Sequence, residues 1–201
     1  TETGRRVHAP ATSRHGNWLF CYLDSNAQGT VLDVHGRRVD HPDRMHRAAR
    51  CEVAPEHLAA LDETLATTDA AHVMVWVHHP PLLPPRFDSP AVRGDAFHAL
   101  HEVLARHGKV RAVAAGHMHT GFENAHEDIT YLGTVTTWLA MDFDRRVLTA
   151  PGYRTFVFGD DGSVRTEHVL VDHGGYPDDA PLPAWVAKIF AEHFGVPLDP
   201  A

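Results

Sequence analysis

The sequence predicts an α/β fold, a sheet with helices packed against it, on three observations. Two short runs, Val73 to Val77 and Val110 to Ala115, are almost wholly apolar, as expected of strands buried on both faces. Two stretches show apolar residues at helical spacing, one after Pro55 and one after Asp95. From Trp18 to Thr120 the order is strand, helix, strand, helix, strand, which is the order of a layered domain.

Residues Thr1 to Gly16 are polar, contain Pro10 and show no periodicity, so an irregular lead-in is expected. Trp18 to Asp24 is apolar on both faces and reads as a buried strand, ended by Asp24, Ser25 and Asn26. Ala27 to Arg50 turns polar, with Gly29, Gly36 and Pro42, and is expected to be a long surface excursion. Pro55 suits the first position of a helix that buries Leu58, Leu61 and Leu65, with Glu56 favourable at its amino end. The strand Val73 to Val77 runs into His78-His79-Pro80-Pro81, where two prolines forbid its continuation. A second helix, Asp95 to His107, places Phe97, Leu100, Val103 and Leu104 on one side, with Gly108 as its stop. Its histidines, His98, His101 and His107, are expected at the surface.

After Thr120 a run of strands is expected at Ile129 to Leu132, Arg154 to Phe158 and Val164 to Val171, antiparallel in character. Gly159-Asp160-Asp161-Gly162 joins the last two as a hairpin. Asp172 to Pro183 is rich in Gly, Pro and Asp, and Pro183 to Phe194 forms an amphipathic helix through Trp185, Val186, Ile189 and Phe190. The division expected is one domain over 1–172 and a tail over 173–201.

The chain has 201 residues, enough for one substantial core. Its 18 Lys plus Arg stand against 26 Asp plus Glu, a net charge of -8 that opposes broad attraction to nucleic acid or an anionic membrane. The longest apolar runs are far too short to cross a bilayer, and no stretch near Thr1 resembles a secretory signal. The first residue is Thr rather than Met, so further sequence upstream is expected; the compartment expected is the cytoplasm. Cys21 and Cys51 form no recognisable metal pair and no disulfide framework, and they are expected to be buried or free thiols, with a single bridge as the alternative.

The chemistry is concentrated at two strand ends. Gly116-His117-Met118-His119 follows one buried strand, with Gly116 expected to allow a sharp bend. In an extended chain the side chains of i and i+2 share a face, so His117 and His119 would point into one cavity. The sequence holds 18 histidines, so this pair alone carries little weight. His78, at the end of the other strand, adds a third imidazole, and three such nitrogens suit a divalent metal.

Val75-Trp76-Val77-His78, continuing into His79-Pro80-Pro81, and Gly116-His117-Met118-His119 resemble the last two of the five motif blocks of the calcineurin-like metallophosphoesterases. Leu23-Asp24-Ser25 and Gly152-Tyr153-Arg154 resemble weaker segments around them, so the likeness runs from about Trp18 to Val171. The resemblance implies a sheet sandwich flanked by helices and hydrolysis of a small-molecule phosphate ester by a centre of two divalent ions, with Fe, Mn and Zn not distinguished. It implies that His78 and His117 bind one ion and His119 the other, with His79 a catalytic group facing the substrate or supporting a ligand. The two blocks look most like the bacterial branch of cyclic-nucleotide and glycerophosphodiester phosphodiesterases.

The three earlier blocks of that family, which supply carboxylates, an Asn and a further histidine, are not found. Gly16-Asn17 is followed by Trp18, and Asp33-Val34-His35 lies after the Leu-Asp-Ser strand with no Gly-Asp-x-x-Asp behind it. The expectation is therefore the carboxyl-terminal half of such an enzyme, weakly active or inactive alone, its sheet completed by an amino-terminal half or a second copy. Two other readings stay open: a non-catalytic remnant or binding module of the same fold, and a mononuclear zinc site of His78, His117 and His119.

Overall fold

In a computed structural model the described residues are 10–25, 31–32, 38–39, 51–88, 93, 95–171 and 179–189. The central element is a six-stranded sheet. Four strands, β2 (Trp18–Tyr22), β5 (His72–Val77), β6 (Val110–Ala115) and β8 (Ile129–Gly133), lie side by side and parallel. The edges are antiparallel: β1 (Ala11–His15) pairs with β2, and β7 (Phe122–His126) with β8. Helix α1 (Pro55–Thr67) connects β2 to β5 and helix α2 (Asp95–Arg106) connects β5 to β6, the crossovers that parallel neighbours require.

The apolar runs are continuous because each strand is covered on both faces. Val73, Val75 and Val77 of β5, Val113 and Ala115 of β6, and Tyr131 of β8 join Leu61 and Leu65 of α1 and Phe97, Leu100 and Leu104 of α2 in the main core. The alternate residues Trp18, Phe20, Met74, Ala112, Ala114 and Leu132 face the other way. They meet Phe156, Phe158 and Val164 of a hairpin made by β11 (Gly152–Phe158) and β12 (Val164–Leu170). The tip of that hairpin is tied to the turn between β1 and β2. The Trp18 indole N–H donates to the Gly159 carbonyl at 2.9 Å, and the Asn17 amide to that of Asp160 at 2.9 Å. Gly162, at φ 86°, closes the tip where a Cβ would stand 2.7 Å from the His72 ring. The outward side of the hairpin exposes Tyr153, Val157 and Leu170.

A second apolar cluster lies beyond the ends of the parallel strands. Leu83 and Phe87, from the segment after the His-His-Pro-Pro block, pack with Met118, Phe122 and Val186. Met141 and Phe143, on and just after β9 (Ala140–Asp142), and Leu148 of β10 (Val147–Thr149) complete it. Val186 belongs to helix α3 (Ala184–Ile189), the described part of the amphipathic helix expected from Pro183. Two short strands, β3 (Val31–Leu32) and β4 (Arg38–Val39), pair within the excursion expected over 27–50. The remainder of that excursion, including Asp33 and His35, lies outside the described residues, as do 172–178 and 190–201.

Several expectations need correction. The lead-in is not wholly irregular: Ala11 to His15 forms β1, because Gly16 at φ 58° turns the chain into a hairpin onto β2. Ile129 to Gly133 is antiparallel to β7 but parallel to β6, since β7 intervenes in sequence and carries the chain back along the sheet edge. His101 is not at the surface. It is 6% exposed, and the Phe97 ring, one turn earlier, stacks on it with centroids 5.4 Å apart. Both cysteines are free thiols, and burial pushes Cys21 up to about 11 and Cys51 to about 12. No helix among the described residues is long and apolar enough to cross a membrane.

Leu104 is fully buried in the main core, so Leu104→Ala removes packed methyl groups and leaves a cavity. It is expected to lower the unfolding free energy by about 2–5 kcal/mol in urea denaturation, whereas Trp138→Ala, at a 70% exposed side chain, changes it by less than about 0.5 kcal/mol. The segment after Pro81 adds a charge-linked term. Asp88 is held below the ordinary carboxylate range by hydrogen bonds from Arg93, with Asn124 assisting. A carboxyl depressed in the folded state stabilises above its unfolded pKa of about 3.9, and that contribution is lost as pH falls through the lower folded value. Asp88→Asn is thus expected to flatten the acid limb of stability below about pH 4, read from urea midpoints across pH.

Candidate metal centre

The parallel strands β2, β5 and β6 end side by side, and their continuations build the site. Leu23 N–H donates to the Trp76 carbonyl at 2.9 Å, which extends the β2 to β5 pairing and brings Ser25 beside His78 and His79. Ser25 is 1% exposed. Its Oγ accepts from the backbone N–H of His78 at 3.2 Å and of His79 at 3.0 Å, and lies 3.1 Å from the His79 ring Nδ1. One hydroxyl therefore satisfies two amides of the bend that the prolines force and fixes the His79 imidazole. The sequence marks Leu23-Asp24-Ser25 only as a strand ending and a weak family segment; this bond needs two segments distant in the chain to be in register and has no local signal.

On the β6 side, Gly116 N–H donates to the His78 carbonyl at 3.1 Å. The role expected of Gly116 is corrected here. It is not among the residues at positive φ, and a Cβ on it would sit 3.7 Å from His78 Nδ1, an ordinary van der Waals distance, so neither the backbone nor the close approach requires glycine there. The bending is done by the histidines themselves, at φ 67° for His117 and 57° for His119. The block is thus not extended, and the i, i+2 argument does not apply to it. Left-handed backbone at a non-glycine residue costs about 1–2 kcal/mol, and histidine tolerates it better than branched residues. Packing offsets that cost. Met118, 3% exposed, is drawn into the second apolar cluster between Leu83, Phe122 and Met141, and the flanking imidazoles are turned away from it. The His119 carbonyl accepts from Met141 N–H at 2.9 Å, and its ring Nδ1 lies 3.1 Å from the Leu139 carbonyl.

Of the four histidines singled out from the sequence, three converge closely. One ring nitrogen each of His78, His79 and His117 lies within 4.8 Å of the other two, and the ring centroids are 4.5–5.2 Å apart. His79 stands in this group. His119 is not in it, but lines the same cavity of about 490 Å³ as His78 and His117, together with Trp76, Thr134 to Thr137, Tyr153, Arg154 and Phe156. His78 is held below the ordinary imidazole range, first by burial and then by the nearby charge of His119. Neutral imidazoles are what metal ligation needs, so three borderline donors at this spacing fit one divalent ion. Among the described residues no carboxylate joins the group.

Two other side chains in the cavity wall are worth placing. Arg154, expected from the Gly-Tyr-Arg segment, spends its guanidinium on the hairpin: Nε donates to His168 Nε2 at 3.0 Å, one Nη to Thr166 Oγ1 at 2.9 Å and the other to the Phe122 carbonyl at 3.1 Å. The Trp76 indole N–H is buried and has no acceptor among the described residues.

No family profile matches the chain. It is similar to a probable cyclic nucleotide phosphodiesterase of Synechococcus, 34% identical over 117 residues, 58% of this chain and 44% of the relative. It is also similar to the 3',5'-cyclic adenosine monophosphate phosphodiesterase of Haemophilus influenzae, 26% identical over 148 residues, 70% of this chain and 53% of the relative. The matches thus span about half the length of these curated relatives. Among solved structures, a dimetal phosphatase from Danio rerio superposes with a TM-score of 0.45 at 16% identity, covering 70% of this chain and 53% of that one. The similarity in sequence to two cyclic nucleotide phosphodiesterases agrees with the resemblance to calcineurin-like metallophosphoesterases carried by the two histidine blocks.

Proposed function

We propose that this chain contributes the histidine side of a metal-dependent phosphoesterase centre that hydrolyses a small-molecule phosphodiester or phosphomonoester. The observation that carries the reading is the convergence of His78, His79 and His117 from two neighbouring strand ends. The names of the two relatives support it, and favour a cyclic nucleotide as the first substrate to test.

In this reading His78 and His117 hold one divalent ion, as the resemblance implies, and His79 is the third imidazole that the spacing offers to it. His119, across the same cavity, is the donor toward a second ion. A bound divalent ion polarises a phosphoryl oxygen and lowers the pKa of a water toward neutrality. The chain's own part is positioning. Ser25 holds the His79 ring and both amides of the bend, and the Gly116 N–H, donating to the His78 carbonyl, ties the two blocks together. The carboxylates of a two-ion centre would come from outside the described residues. The absence of a carboxylate from the imidazole group, among the described residues, also favours a second reading: a binding module that keeps one metal without turnover.

The deciding experiment measures metal content and hydrolysis of bis(p-nitrophenyl) phosphate for this chain and for one extended upstream. Turnover in the extended chain that disappears with His117→Asn supports the enzyme, and metal binding without turnover in either chain supports the module. His79→Asn is expected to lower bound metal more than His119→Asn, read by elemental analysis after gel filtration. The opposite order would remove His79 from the ligand set. Ser25→Ala strands two buried N–H groups and frees the His79 ring. It is expected to destabilise the fold by about 1–3 kcal/mol in urea and to weaken metal binding as well.

A further inference from the structure

At the amino-terminal end of β8, away from the strand ends that carry the first histidine group, lies a second cluster to which no role is assigned. His101 of α2 is buried against Phe97, with its Nδ1 2.6 Å from the Tyr131 hydroxyl and its Nε2 3.2 Å from Glu127 Oε2. The His126 ring stands 4.5 Å from that of His101, centroid to centroid. One donor atom each of His101, His126 and Glu127 lies within 4.8 Å of the other two. His126 ends β7, and Glu127 opens the two-residue turn into β8 at φ 51°, a backbone position that glycine or asparagine ordinarily takes. The turn holds the carboxylate toward α2.

We propose that His101, His126 and Glu127 bind a divalent ion of zinc type, with water as fourth donor, and that this ion cross-links α2 to the β7–β8 turn at the sheet edge. The chemistry is the two-imidazole, one-carboxylate set that zinc accepts with an open position. Ligands about 2.0–2.1 Å from a tetrahedral ion stand roughly 3.3 Å from one another, and the 3.2 Å between His101 Nε2 and Glu127 Oε2 is that spacing. With the ion bound, the Tyr131 hydroxyl would accept from His101 Nδ1–H and leave the Nε2 lone pair to the ion, the outer support a ligating histidine needs. Tyr131 is 1% exposed, and burial drives its phenol well above the ordinary tyrosine range, so it stays neutral in that role.

Ligation has one cost in the neighbourhood. Arg93 lies with an Nη 3.1 Å from His126 Nδ1, so ligation through Nε2 moves the His126 proton to Nδ1 and gives up that bond. Arg93 keeps its two-point pair with Asp88, whose carboxylate also offsets the guanidinium charge beside the ion.

Cobalt(II) is the probe, because its visible bands report four-coordinate nitrogen and oxygen ligation independently of any turnover. The purified chain is titrated as wild type, as His78→Asn/His117→Asn, and as that double variant with His126→Asn, Glu127→Gln or Tyr131→Phe added. One equivalent is expected to remain in the double variant. Adding His126→Asn or Glu127→Gln should abolish it, and adding Tyr131→Phe, which removes no ligand, should weaken it by about tenfold or more. Glu127 is an exposed side chain at 63%, so its substitution leaves the fold intact as the control for His126→Asn. Loss of all cobalt in the double variant, or uptake that persists unchanged with both His126→Asn and Glu127→Gln, overturns the proposal. The first result would assign the bound cobalt to the His78 and His117 group, and the second would leave that group's reading untouched.

Discussion

The arrangement depends on how two parallel strands stop. β5 and β6 are in register up to Val77 and Ala115, and one more hydrogen bond, from Gly116 N–H to the His78 carbonyl, carries the pairing past both ends. Beyond it the prolines after His79 forbid further ladder, and the backbone amides of the bend need another acceptor. Ser25, at the end of the next strand over, is that acceptor. Three adjacent strands therefore finish at one level, and their continuations must share the small volume above the sheet. Convergence of imidazoles follows from this geometry and not from attraction between the rings, which repel when charged.

The second constraint is apolar. Met118 sits between two histidines in sequence and has to be buried, and the cluster that receives it is built from the segment after Pro81, β7, β9, β10 and α3. Fixing Met118 there holds His117 and His119 in left-handed backbone that they would not adopt alone. The same cluster links the two histidine blocks, since Leu83 and Phe87 follow His79 by only a few residues. Residues with no chemistry of their own thus set where the chemical groups point, and substitutions in this cluster should be felt at the cavity as well as in stability.

Histidine is used here in two ways that composition alone does not separate. At the strand ends the rings are gathered around a cavity. At the sheet edge His101 and His126 are embedded in a polar network with Tyr131, Glu127, Arg93, Asp88 and Asn124, pressed against Phe97. Such a network beneath apolar surface is expensive if partly satisfied, and here nearly every member has a partner. It ties together α2, the edge strand and the segment that follows the prolines.

Much of the architecture was legible from residue order. The apolar runs named their strands because strands covered on both faces admit few polar residues, and Pro55 and Gly108 marked helix ends because their backbones allow little else there. His78, His117 and His119 were singled out because two strand ends deliver histidines in blocks that resemble those of a known family; the extended i, i+2 spacing offered for His117 and His119 is not what the backbone adopts. Tertiary structure decided the rest. Ser25 gains its role from the register between β2 and β5, and His101 is buried because the β7–β8 turn closes over a helix face that periodicity left to solvent. His79 joins the imidazole group because the bend after β5 is set by its neighbours. These are contacts between segments distant in sequence, so their energies depend on coordinates that no local pattern encodes.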